Sequence, residues 1–394
     1  MVGGGPAGCL LAGKLASSGV EVTLFEEHTE IGRPDHCAGL VGCKNFNKLY
    51  NPPKKIIRNT VKGAVIHYDQ GQILISRNIE EAYVIDRAGL DQYLACKAVE
   101  KGARIRLNQR VKHYVKKNGF FKLFSASGEV YPGANIIVNT AGVNGLLSRN
   151  LNHNIKYSKI VPGIQYELNN VKDISKDTVE LYFNNNLTPG FFSWIIPLDE
   201  ESVRVGLAAH GSKLENRLQY FIRKIVFNTN RFKKSRITAI KKGLIITGGP
   251  LNKTYYDGEI LIGDAAAQVK PVTGGGLNLA GLCATIAAEI LIRAVEEKDF
   301  SSTLLSRYQA GWRCILSREL KYTRYVRLLL DRLDNTRLAE FFNKIKDNRL
   351  ESSLILEGDI DFQSQAIKSV MKNPRFLKLA PLIFLALSKH FLNL

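Results

Sequence analysis

Apolar positions change their spacing along the chain, and the changes predict alternating strands and helices. From Cys9 to Ser18, Leu10, Leu11, Leu15 and small alanines form one helical face, which Gly19 ends. Val20-Glu21-Val22-Thr23-Leu24-Phe25 follows as a β-rich run closing on Glu26. Ala82-Tyr83-Val84-Ile85 leads into a helix from Leu90 to Lys101, with Leu90, Leu94 and Ala98 at helical spacing. Gly102-Ala103-Arg104-Ile105 starts the next strand, and a β-rich stretch follows at Val111. Asn135 to Val138 reads as a buried strand, and Glu259 to Ile262 as another before a helix from Leu277 to Glu296. This recurrence predicts a parallel sheet carrying helices. Residues 156–249 instead predict an antiparallel sheet, joined by a hairpin from Val61 to Arg77 that turns at Asp69-Gln70-Gly71. Residues 300–394 read as helical.

Two glycine-rich turns carry candidate chemistry. Gly3, Gly5 and Gly8 fit GxGxxG, directly before a helix and a strand that ends in an acid. Such glycines let backbone N–H groups approach a pyrophosphate, with Ala7 at the helix start, and Glu26 can accept hydrogen bonds from a ribose. Only Met1 and Val2 stand where a strand of about four to six apolar residues is expected. The sheet is therefore expected to lack its central member, with the true start upstream of Met1. In the second turn, a strand ends in Gly263-Asp264, and Pro271 and Gly274-Gly275-Gly276 lead to a helix at Leu277. Asp264 can bind a ribityl or ribose hydroxyl. The helix N-terminus can stabilise negative charge on a reduced flavin.

Composition narrows the classes. The 394 residues are 45% apolar and 23% charged, which excludes a disordered chain, a collagen-like repeat or a small disulfide scaffold. They suggest two domains, or one with an insertion. Lys plus Arg number 55 against 36 Asp plus Glu, a formal net charge of +19 that favours polyanions. Lys233-Lys234-Ser235-Arg236 and Lys241-Lys242 form a basic run, yet no nucleic-acid motif or aromatic platform accompanies it, so no nucleic-acid partner is expected. Arg318, Lys321, Arg324 and Arg327 recur every three residues, and the tail from Phe376 interleaves leucines with few charges. Both suit an anionic membrane surface, the alternative being a solvated face and a core helix. No apolar stretch reaches the ~18–20 residues of a membrane span. Six cysteines without a CxxC pair and no signal peptide predict reduced, mostly buried thiols in a cytoplasmic protein, peripheral at the inner membrane face. No metal-ligand cluster is visible.

The paired glycine motifs resemble the FAD-dependent oxidoreductases of the hydroxylase and geranylgeranyl reductase superfamily, which implies FAD. In that superfamily the Arg matching Arg87 and the backbone matching Val111 lie beside FAD; a surface salt bridge is the alternative for Arg87. Ala141 stands where flavin hydroxylases carry the Asp of an Asp-Gly pair, which counts against a nicotinamide-driven hydroxylase. Ile31 to Gly39 resembles the Cys-containing loop that faces the flavin in geranylgeranyl reductases. The resemblance places Cys37, Ala38 and Gly39 there, with Cys37 a catalytic candidate for tuning the flavin or relaying a proton, or else a structural thiol. Pro189 to Pro197, with Gly206, resembles the family signature of an aromatic, Trp, an apolar residue and Pro, then Gly-x-Gly. Ile196 replaces the usual Phe, and Ala208 the second Gly. Phe192 and Trp194 alternate as on a half-buried strand lining an apolar cavity, with simple sheet core as the alternative. Phe192, Trp194, Ile196, Pro197 and Gly206 are the expected substrate residues.

The resemblance spans about residues 1–300. It implies an α/β fold: a discontinuous Rossmann-like FAD domain (1–55, 80–155, 250–300), an antiparallel substrate domain (56–79, 156–249) and a helical region (301–394). The implied activity is reduction of C=C bonds in geranylgeranyl chains of isoprenoid lipids, as in archaeal-type membrane lipid synthesis. The electron donor is left open between a ferredoxin-like carrier and reduced nicotinamide. A flavin halogenase or monooxygenase, and a non-catalytic prenyl-lipid-binding protein, are the rival readings.

Overall fold

Val2 sits at the centre of a parallel sheet. In the computed structural model, which describes residues 1–69, 71–77, 79–146, 159–225 and 231–388, Val2 bridges Phe25 on one side and Asn139 on the other. The Val2 N–H donates to Val138 O (2.9 Å), and its carbonyl accepts from the Thr140 N–H (2.8 Å). The Gly3 N–H donates to Phe25 O (2.8 Å). Outward, Thr23–Phe25 pairs with Arg104–Arg106 and Ile137–Asn139 with Glu259–Leu261, both in parallel. The sheet thus does not lack a central member, because Met1 to Gly3 pair on both sides. The strand read from Val20 is shorter, Thr23–Phe25.

Three helices pack side by side against this sheet: Pro6–Ser17, Arg87–Glu100 and Leu277–Glu296. Leu11, Leu15, Leu94, Ala98, Ala284 and Leu291 share its core. The first helix begins before Cys9, because Pro6 supplies a preset φ where no N–H is needed. Asp86 caps the second, its carboxylate accepting from the Gly89 N–H. The third has the length and apolar composition of a membrane span, which the residue runs alone did not suggest. Its alanines, with Leu279 and Leu291, are instead buried between Pro6–Ser17 and Ser302–Leu330.

A second sheet orders Arg236–Ile246, Ile160–Asn169, Val203–Ala208, Ser193–Pro197, Thr178–Phe183, Gly63–Tyr68 and Gly71–Ser76. The expected hairpin is present, Gly63 pairing with Ser76 through Tyr68 with Gly71, although Gln70 lies outside the described residues. The sheet is not wholly antiparallel, since Thr178–Phe183 and Gly63–Tyr68 run parallel. These strands are far apart in sequence, so no tight turn dictates their relative direction. Ser193–Pro197 is buried on both faces, not half-buried. Phe192, Trp194 and Ile196 share a core with Leu329, Phe342 and Leu379, while Ile195 packs with Val205, Leu207 and Phe221.

The C-terminal region is helical: Ser302–Leu330, Asn335–Asp347, Glu351–Glu357, Ser364–Lys372 and Ala380–Ser388. Residues 389–394 of the apolar tail lie outside the described residues. Arg318, Lys321 and Arg324 are exposed, but Arg327 is buried and pairs with Asp331 (2.6 Å). A three-residue step turns about 300° around a helix, so three such steps place Arg327 roughly opposite Arg318. The cysteines are all free, yet only Cys9 and Cys283 are buried. Cys96 and Cys314 are exposed, so the thiols are not mostly buried.

Candidate active site

A cavity of ≈ 1960 Å³ runs between the two sheets and ends against the C-terminal helices. Ordinary ligand pockets reach about 1,000 Å³, so this one has room for a dinucleotide and a long apolar chain together. Gly3, Gly5, Ala7, Glu26 and Val111 line it, as do Gly263, Asp264, Gly275, Gly276 and Leu277.

The first glycine turn divides its labour as a nucleotide cradle requires. A Cβ on Gly5 would meet nothing within 4 Å, so this backbone stands open towards the cavity. A Cβ on Gly8 would lie 2.1 Å from Gly3 O; Gly8 is off the cavity wall and lets the helix close on the turn. Glu26 accepts from the Gly4 N–H (2.7 Å) and the His28 N–H (3.0 Å), which fixes its carboxylate at the cavity edge.

Arg87 also lines the cavity, and Asp91, one helical turn on, takes its guanidinium in two hydrogen bonds (2.9 and 3.2 Å). It is therefore a largely shielded ion pair and not a surface one. Burial raises the Asp264 carboxyl above the usual range, and the positive charge of Arg87 opposes that shift. Gly276 abuts Asp264, its added Cβ falling 3.3 Å from Oδ1. Pro271 is buried behind the loop, off the wall. Beside it Lys270 reaches into the C-terminal region, donating to Ile360 O (2.6 Å) and to Asp361 (3.3 Å). Asp361 also accepts from Asn278 (2.6 Å), so residues on both sides of Gly274–Gly276 are tied to one buried carboxylate.

Cys37, Ala38 and Gly39 line the same cavity. The Cys37 thiol accepts from the Gly39 N–H (3.2 Å). The second sheet pins the segment: Gln165 donates to Cys37 O (2.9 Å), Arg204 to Ala38 O (2.8 Å) and Lys241 to Asp35 (2.5 Å). Glu167 ties the two cations together, at 2.9 Å from Arg204 and 2.8 Å from Lys241. Gln165 also accepts from the Trp194 indole N–H (3.3 Å), which links that ring to the Cys37 backbone. Phe192, Trp194 and Ile196 line the apolar end with Phe191, Phe341 and Phe342. Pro197 and Gly206 do not. Pro197 O accepts from Asn59 (3.1 Å), whereas Gly206 lies opposite Trp194 and leaves space for its indole.

The chain matches the family model of the geranylgeranyl reductase catalytic domain over residues 159–245, and that of an NAD(P)-binding Rossmann-like domain over 1–33. A digeranylgeranylglycerophospholipid reductase of Methanothrix thermoacetophila is 30% identical over 392 residues, 96% of this chain and 96% of that one. The chain belongs to the geranylgeranyl reductase family. The enzyme of the same name from Methanococcus vannielii is 29% identical, again over 96% of each chain. Among solved structures, a geranylgeranyl bacteriochlorophyll reductase-like protein of Thermoplasma acidophilum matches with TM-score 0.82 at 23% identity, covering 97% of this chain and 98% of that one. The flavin-dependent brominase Bmp2 matches at 0.72 and 17%, covering 96% and 98%. Those two likenesses establish a shared fold. Membership of this reductase family makes the chain a flavin-dependent oxidoreductase.

Sequence reasoning missed Gln165, Arg204, Lys270 and Asp361, and read Lys241 only as part of a basic run. No local pattern marks them, because each acts on a segment distant in the chain.

Proposed function

We propose that this geranylgeranyl reductase uses FAD to reduce isolated C=C bonds in geranylgeranyl chains of an isoprenoid glycerolipid. The observation that carries the reading is the single cavity joining the glycine cradle to an aromatic chamber. The residues fit FAD: open backbone at Gly5, carboxylates at Glu26 and Asp264, and a helix N-terminus after Gly276. The chemistry FAD would supply here, once reduced by two electrons, is hydride transfer to one alkene carbon, with a proton reaching the other. An unactivated alkene offers no charge to stabilise, so the chain's own part is alignment and exclusion of water. Phe192, Trp194 and Ile196 hold the prenyl chain, and Gln165 fixes the indole against the Cys37 segment. Cys37, which lines the same cavity, would carry the proton or shape the flavin face. An anionic membrane surface presents the lipid, and a ferredoxin-like carrier or reduced nicotinamide supplies electrons.

Incubating the reduced enzyme anaerobically with geranylgeranyl lipids tests this directly. Mass spectrometry should show stepwise gains of two hydrogens. Turnover only with oxygen and halide would favour a halogenase. Protein without a flavin absorption band would favour a lipid binder.

A further inference from the structure

The segment from Ser364 to Ser388 has two faces. Ile367, Val370, Phe376 and Ile383 line the apolar end of the cavity. Met371 stands at its rim, lining the cavity while 49% exposed. Outside, Leu377 and Phe384 are each 73% exposed. Lys368, Lys372, Arg375 and Lys378 lie in the same segment, and residues 364–388 contain no Asp or Glu. A single exposed leucine is ordinary. Two large apolar side chains among four cations and no anion, on the outer side of a prenyl-sized cavity, fit an anionic lipid surface.

We propose that this segment docks the protein on an anionic bilayer and that Met371 marks the entry of the prenyl chain. Leu377 and Phe384 enter the acyl region, and the four basic side chains meet lipid phosphates. The charge distribution decides against a second copy as the occupant. A two-fold pairing would set four cations against four, whereas a phosphate layer neutralises them. The proposal rests on the reading of the substrate as a membrane lipid, and it adds where that lipid arrives.

Sedimentation of the flavin-loaded chain with phosphatidylglycerol–phosphatidylcholine vesicles, against phosphatidylcholine alone, tests it. Binding should be confined to the anionic vesicles and fall in high salt. Combining Lys368→Gln, Lys372→Gln and Lys378→Gln should weaken it about a hundredfold, from roughly fivefold per cation. Leu377→Asp with Phe384→Asp should abolish it, with melting temperature and flavin absorption unchanged. In a separate variant, the indole introduced by Phe384→Trp should shift to the blue on these vesicles and be quenched by brominated acyl chains. Equal binding to both vesicle types, or an unquenched indole, would overturn the proposal. So would a dimer in ultracentrifugation that the two aspartates split. Turnover of a detergent-dispersed prenyl alcohol is scored separately. Turnover without vesicle binding sinks the docking surface alone, and vesicle binding without turnover sinks the reductase reading alone.

Discussion

Gly206→Ala tests the alkene site without removing an atom that touches it. An added Cβ would lie 2.5 Å from Trp194 Cζ2 and 2.6 Å from Cε2, with Gln165 Cβ also at 2.6 Å. Carbon atoms settle at about 3.5–4.0 Å, so the indole must retreat by about 1 Å. The sheet blocks retreat on one side, and the cavity that Trp194 lines is the open direction. Overpacking of this kind costs about 1–3 kcal/mol. A ~1 Å displacement at a positioning surface can cost about a hundredfold in turnover. No residue of either glycine turn is touched, so the flavin spectrum should persist. Melting temperature, flavin content and anaerobic turnover on one preparation read all three. Adding Trp194→Phe removes the overlapping ring atoms, so the double variant should regain stability relative to Gly206→Ala alone. A folded, yellow Gly206→Ala protein with normal kcat and KM would refute the placement of the alkene beside Trp194.

Three further outcomes are expected. Asp264→Ala should weaken flavin retention ten- to a hundredfold, about 1.5–3 kcal/mol for a lost charged acceptor, measured as FAD occupancy after dialysis. Gln165→Leu keeps volume but strands the Cys37 carbonyl and the Trp194 N–H; it should cost about 1–3 kcal/mol and lower kcat while FAD stays bound. Gln165→Glu, which still accepts from the indole, should recover part of that kcat if the Trp194 link matters. Burial pushes Glu259 up to about 7, with its Tyr114 hydrogen bond opposing. The folded state therefore binds this proton more tightly than the unfolded chain, and stability should fall as pH rises from about 4.5 through 7. Glu259→Gln should remove that slope, worth on the order of 3 kcal/mol, in melting curves at pH 5 to 8.

What the sequence discloses here is what neighbouring residues decide together. The GxGxxG turn, its helix and Glu26 lie within 26 residues, and their spacing implies the tight, open turn that the structure contains. The alternation of Phe192, Trp194 and Ile196 likewise places three side chains on one face. The hidden part depends on distant partners. Lys241 belongs to a basic run in the sequence, yet its ammonium is held by Asp35, 206 residues away. Asp361 meets Lys270 and Asn278 across 91 and 83 residues. Arg327 misleads for another reason: a three-residue repeat is not the helix period, so apparent regularity conceals a change of face.

These distant ties bear on how an alkene with no charge to grip can be reduced. Alignment requires the wall that holds the prenyl chain and the wall that faces the flavin to keep a fixed separation. Here the Cys37 segment is pinned by Gln165, Arg204 and Lys241, all from the sheet that carries Trp194. The Gly274–Gly276 loop is tied through Lys270 and Asn278 to Asp361, in the same region as the helices that close the apolar end. Each side of the cavity is therefore fastened to an element that also lines its apolar end. On the Cys37 side, two of the ties are to backbone carbonyls that no side-chain substitution within the loop removes. Loosening the sheet should thus disturb alignment before it disturbs cofactor binding. That order separates a reductase built on alignment from a protein that merely stores a flavin.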